Sequence, residues 1–98
     1  MKLTEKRLAR LKAITADDYE LNERRELVAK PVNPTVFERD GSVYVSAEDG
    51  CHFADYYGES FPRSGGYPWI HHKLEAFADS VGGYWDWQDP GTIYLVRA

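Results

Sequence analysis

The chain has 98 residues, 43% of them apolar and 29% charged, with a formal net charge of −4. That length is one domain, the composition is that of a globular protein and not a disordered one, and no apolar run approaches the ~20 residues that a membrane-spanning helix needs. The single cysteine, Cys51, excludes an internal disulfide. The start of the chain leads into an amphipathic pattern and not into a signal-peptide core, so a reducing, cytoplasmic location is expected.

In chain order, Thr4 is placed to cap a first helix over about residues 5–13, with Leu8, Leu11 and Ile14 at helical spacing. Thr15, followed by Asp17 and Asp18, reads as the opening of a second helix, since acids favour a helix N-terminus. Tyr19, Leu27 and Val28 would supply its apolar contacts, and Pro31 would end it. Between Val36 and Val45 two β-rich runs flank Asp40 and Gly41, a pair suited to a tight hairpin turn. Glu48, Asp49 and Gly50 mark another turn, and Cys51–Tyr57 reads as a third strand with Phe53 alternating against His52 and Ala54. Residues 58–67 are glycine-rich and read as the longest loop. Pro68 suits the first turn of a helix over about 68–81, in which Ile70, Leu74, Phe77 and Val81 form one stripe. Gly82 and Gly83 stop that helix. Residues 84–88, a turn at Asp89–Gly91 and a strand from Thr92 to Val96 close the chain. The expected fold class is α+β, an antiparallel sheet of about 4–5 strands with helices packed on one face. The expected order is α-α-β-β-β-α-β-β in a single domain spanning 1–98, with a helical part at 1–30 and a strand-rich part at 31–98.

Charge is unevenly spread. Residues 1–12 hold Lys2, Lys6, Arg7, Arg10 and Lys12 against Glu5, a balance of +4. Residues 40–96 hold nine acids against Arg63 and Lys73, a balance of −7. An acidic surface is poor at meeting phosphates, so direct nucleic-acid binding is not expected and a basic protein partner is. The acids interleave with Tyr56, Tyr57, Phe61, Tyr67, Trp69, Tyr84, Trp85, Trp87 and Tyr94, more aromatics than a small core readily holds. Tyr and Trp carry an apolar body with a polar handle and anchor protein interfaces. Asp55, Tyr56, Tyr57, Glu59, Tyr67, Tyr84, Asp86 and Asp89 are the candidate partner-binding residues. The alternative for the aromatics is that they simply fill the core.

Catalytic signatures for serine hydrolases, phosphate loops and dinucleotide binding are missing, and no cofactor or metal is expected. Cys51 with His52, His71 or His72 could make a small hydrolase or a zinc site. However, adjacent residues on a strand point to opposite faces, and adjacent residues on a helix sit about 100° apart, so neither pair converges well on one ion. A further alternative is an accessory regulatory factor that touches nucleic acid or a partner through the basic helix 1–12. In size, in its acidic, Tyr/Trp-rich stretch from Asp55 to Asp89 and in lacking catalytic motifs, the chain resembles small phage- or plasmid-encoded inhibitors such as anti-CRISPR and anti-restriction proteins. The resemblance implies a non-enzymatic domain that docks on the nucleic-acid path of a nuclease or CRISPR effector subunit, in some cases by imitating nucleic-acid charge. It assigns no individual residue a role.

Overall fold

The computed structural model describes residues 1–48, 52–58 and 66–98. Helix α1 spans Glu5–Lys12, and the Thr4 hydroxyl accepts from the Arg7 N–H at 3.3 Å, satisfying one of the donors a helix leaves unpaired at its start. Strands β1 (Ala16–Leu21) and β2 (Leu27–Val32) form an antiparallel hairpin of their own. Strands β3 (Val36–Arg39) and β4 (Ser42–Ser46), with β7 (Gly83–Asp89) and β8 (Thr92–Arg97), make a four-stranded antiparallel sheet in the order β3-β4-β8-β7. Two short strands, β5 (Ala54–Asp55) and β6 (Trp69–Ile70), pair with each other, and helix α2 spans His72–Ser80.

The β3–β4 turn follows the expectation from sequence. Asp40 and Gly41 both have positive φ, 51° and 76°, which matches the turn twist to the twist of the strands. Gly82, at φ 74°, ends α2 as a left-handed residue. Strand alternation then sorts the sheet into two faces. Val43, Val45, Ile93, Leu95 and Trp85 point inward and are buried together with Leu11 of α1 and Leu74, Phe77 and Ala78 of α2. The Trp85 indole N–H donates to the Leu74 carbonyl at 2.7 Å, tying β7 to α2 inside this core. The N-terminal ammonium donates to the Leu95 carbonyl at 3.1 Å, so the start of the chain lies along β8.

Three expectations are corrected. The residues after Thr15 are not a second helix. They are the β1–β2 hairpin, so 1–30 is helical only in α1, and the observed order is α-β-β-β-β-β-β-α-β-β. The turn at 22–26 carries the explanation: the Asn22 side-chain oxygen accepts from the N–H groups of Arg24 and Glu26, both at 2.9 Å, and Arg25 takes a left-handed φ of 59°. Tyr19, Leu27 and Val28, expected as buried helix contacts, are exposed on this hairpin. The last helix begins at His72 and not at Pro68. The Tyr67–Pro68 peptide is cis, Trp69 and Ile70 are strand residues, and the His71 Nδ1 accepts from the Lys73 N–H at 3.0 Å as the helix cap. The third strand shrinks to Ala54–Asp55, and Phe53, Ala54 and Asp55 are all buried, so this stretch is enclosed and does not alternate. Cys51, Glu59 and most of the expected loop lie outside the described residues.

Candidate protein-binding surface

The outward face of the four-stranded sheet collects an aromatic row. The register sets Phe37 opposite Tyr44, Tyr44 opposite Tyr94, and Tyr94 opposite Asp86, so one line of side chains crosses all four strands. Phe37 and Tyr44 stack at 5.1 Å with ring planes 9° apart, and Tyr44 meets Tyr94 at 6.0 Å. The Arg39 guanidinium lies over both Phe37 and Tyr44, at 5.9 and 6.0 Å from their centroids. This is the geometry by which a cation is held on ring faces. Tyr84 stands one alternation along β7 from Asp86, on the same face, and both are exposed. Asp86 accepts from the Trp87 N–H at 2.8 Å and pairs with no cation among the described residues.

The predicted site residues therefore divide. Tyr84 and Asp86 share the outward sheet face. Tyr56 and Tyr57 lie elsewhere, edge to face with each other at 4.9 Å, and Tyr56 meets Trp87 at 5.1 Å. Trp87 is on the inward face of β7, so this cluster is not continuous with Tyr84 and Asp86. Tyr67 lies over Gly58, whose φ of 69° and lack of a side chain leave the ring its space. Asp89 sits at the β7–β8 turn and accepts from the Gly91 N–H at 2.8 Å. Asp55 is 2% exposed and accepts from the Gly58 N–H at 2.9 Å, so its carboxylate organises the loop from within and does not face solvent. Glu59 lies outside the described residues. Phe37, Arg39 and Tyr44 are not among the residues expected from sequence at this surface. Tyr44 alternates out of phase with Val43 and Val45, the residues that fill the core, and the two-residue turn at Asp40 and Gly41 puts Phe37 and Arg39 on the face of Tyr44.

Other chemistry-bearing groups are engaged structurally. His52 pairs with Asp18 at 3.3 Å. The Asp18 carboxyl titrates below its ordinary range, first because it accepts from the Tyr19 backbone N–H and further because His52 is beside it. His71 and His72 stack at 4.4 Å, and His71 uses Nδ1 as a helix cap. Among the described residues no group of three His, Cys, Asp or Glu side chains could hold a metal ion. Between the helices an open cleft of about 360 Å³ is lined by Arg10, Ile14, Lys73 and Phe77. Its two cations are already occupied: Lys73 donates to the Thr15 carbonyl at 2.7 Å, and Arg10 donates to the Ser80 hydroxyl at 3.0 Å while lying over the Phe77 ring. Lys2, Lys6, Arg7 and Lys12 stay exposed on and beside α1. Among the described residues no helix is long and apolar enough to cross a membrane. The chain matches no protein family, no curated protein and no solved structure.

Proposed function

We propose that the chain is a non-enzymatic protein-binding domain, an inhibitor of the anti-CRISPR kind, that docks an acidic, aromatic surface on a basic nucleic-acid-binding groove of its target. The observation that carries this reading is the outward sheet face, where the row of Phe37, Tyr44 and Tyr94 ends on Asp86, with Tyr84 one alternation away along β7. Arg39 already rests on two of those rings, so the face accepts a guanidinium in this way. A partner's arginine reaching Tyr94, Tyr84 and Asp86 would find ring faces and an opposing charge together. Arginines that hold phosphates in a nucleic-acid groove have the required chemistry. The rival built on Cys51 with His52, His71 or His72 gains less, because His52 faces Asp18 and His71 caps α2. The rival built on the basic helix loses Arg10 to α2 but keeps four exposed cations.

The test begins with capture of a partner on the immobilised chain and continues with binding kinetics at two salt concentrations. Asp86→Lys should slow association, and raised salt should slow it for wild type, since exposed charges are screened beyond about 8–10 Å at physiological ionic strength. Tyr84→Ala should mainly speed dissociation, by roughly tenfold or more for an anchor residue. Asp86→Lys binding at wild-type rates in low salt, while Lys6→Glu/Arg7→Glu abolishes binding, would move the interface to α1 and overturn the proposal. Cys51→Ala should leave binding intact. Loss of activity in that folded variant would instead put the cysteine chemistry first.

A further inference from the structure

The β1–β2 arm has an apolar face that no described part of the chain covers. Alternate residues of a ribbon share a face, and the register pairs Tyr19 with Ala29, Leu21 with Leu27 and Asp17 with Pro31. Tyr19, Leu21, Leu27, Ala29 and Pro31 therefore lie together on one side. Tyr19 is 59% exposed, Leu21 64% and Leu27 74%, and every residue from 19 to 31 is exposed. The other side carries Asp18, Glu20, Val28 and Lys30, with Lys30 and Glu20 paired at 3.3 Å. The ribbon is held at its base: Ala16 is buried, the Asn33 amide donates to the Ile14 carbonyl at 3.0 Å, and Asp18 meets His52. A two-stranded ribbon with neither face covered is marginal in water, and this one has the one-sided pattern of a ribbon packed on something.

We infer that two copies of the chain dimerise by stacking these arm faces about a two-fold axis. The face complements itself, because its only charge is Asp17 at the base and two copies meet apolar side to apolar side without burying an unpaired ion. Edge-to-edge pairing of like strands is disfavoured. On β2, Pro31 has no N–H to give. On β1, each central antiparallel register sets Asp18 against its own copy, Asp17 against Glu20, or Asp18 against Glu20, and like charges directly opposite repel. Face stacking at the ~10 Å sheet spacing avoids both obstacles. The five side chains offer on the order of 500 Å² per copy, so about 1,000 Å² in the pair, the low end for a specific interface and enough for a reversible dimer of micromolar strength. No residue of the outward sheet face takes part in this contact, and no other partner is needed to observe it.

Sedimentation of the full chain from about 1 to about 500 μM spans that strength. The mass should rise from 11.2 kDa toward twice that value. Leu21→Glu/Leu27→Glu, with circular dichroism matching wild type, should stay monomeric, its dimer weakened roughly 100-fold or more by the buried charges. Val28→Ser, on the other side of the ribbon, should dimerise normally. Because Leu21→Glu/Leu27→Glu could disturb the arm itself, a second readout keeps the arm's apolar residues in place. In a Cys51→Ser background, Ala29→Cys should cross-link between copies with a short bis-maleimide, and Val28→Cys should not. Wild type remaining monomeric at the highest concentration overturns the inference. So does a Leu21→Glu/Leu27→Glu protein that dimerises as wild type does, or equal cross-linking from both cysteine positions.

Discussion

Replacing Trp85 by Phe tests whether the indole fastens α2 to the sheet. The N–H of Trp85 donates to the Leu74 carbonyl at 2.7 Å within the core, and the residue is buried. A buried hydrogen bond of this kind contributes about 1 kcal/mol net. The phenyl ring also leaves part of the indole volume empty beneath Leu74 and Phe77, which adds about 1–2 kcal/mol for partial loss of packing. The expected cost is therefore about 2–3 kcal/mol, out of the ~5–15 kcal/mol a domain of this kind possesses. That corresponds to roughly 10–20 °C in melting temperature for a domain of this length. Urea denaturation followed by far-UV circular dichroism measures it without relying on tryptophan emission. Trp87→Phe is the control, because Trp87 is only half-buried and meets Tyr56 edge to face. A Trp85→Phe cost below about 1 kcal/mol, or one equal to that of Trp87→Phe, would refute the argument that this contact fixes the helix.

Gly58→Ala should destabilise the protein by about 1–3 kcal/mol, since a left-handed residue would gain a side chain whose first carbon meets a ring. That carbon would sit 2.5 Å from the Tyr67 ring, so the loss in melting temperature should shrink when Gly58→Ala is made in a Tyr67→Ala background. Asp18 sets an acid limit on the base of the arm. Its folded pKa lies below the ordinary value of 3.8, so its ionised form stabilises the fold above that pH, and the stabilisation fades as pH falls below 3.8 through the lowered value. Carboxyl titration by NMR should show Asp18 titrating low in wild type, and Asp18→Asn should lower the arm's stability at neutral pH, with the difference from wild type vanishing as pH falls through that acid window. A carboxyl that titrates at the ordinary value would contradict the Tyr19 N–H bond as its cause.

Where local chemistry and tertiary packing agree, the fold was legible in the residues. Thr4 caps α1, Asp40 and Gly41 turn β3 into β4, Gly82 stops α2, and Leu74 and Phe77 reach the core. Sequence and structure part where two local signals compete. Thr15, Asp17 and Asp18 are good first-turn residues, but Tyr19 and Leu21 alternate with Asp18 and Glu20 at period two, and Asn22 closes the turn without the glycine that usually reveals it. An arm exposed on both sides also gives no burial pattern to tell a ribbon from a helix. His71 hid the start of α2 in a similar way, since an imidazole cap is outside the usual Ser, Thr, Asp and Asn set. Of the candidate surface, Tyr84 and Asp86 were legible by alternation along β7. The burial of Asp55 was not, because it depends on the pairing of β5 with β6, residues distant in sequence.

The strand order β3-β4-β8-β7 also dictates a folding sequence. β3 with β4, and β7 with β8, are neighbours along the chain and close through short turns, so each hairpin can form within microseconds of collapse. The central pairing is different. Ser46 meets Thr92, which closes a loop of nearly half the chain, and everything from Ala47 through α2 must be gathered before those strands touch. Loop entropy of that size delays the contact more than it weakens it. Two preformed hairpins joined late along one seam are the kinetic signature this topology implies. The seam residues Val45 and Ile93, paired across it and both fully buried, are the contacts that this order leaves to form last.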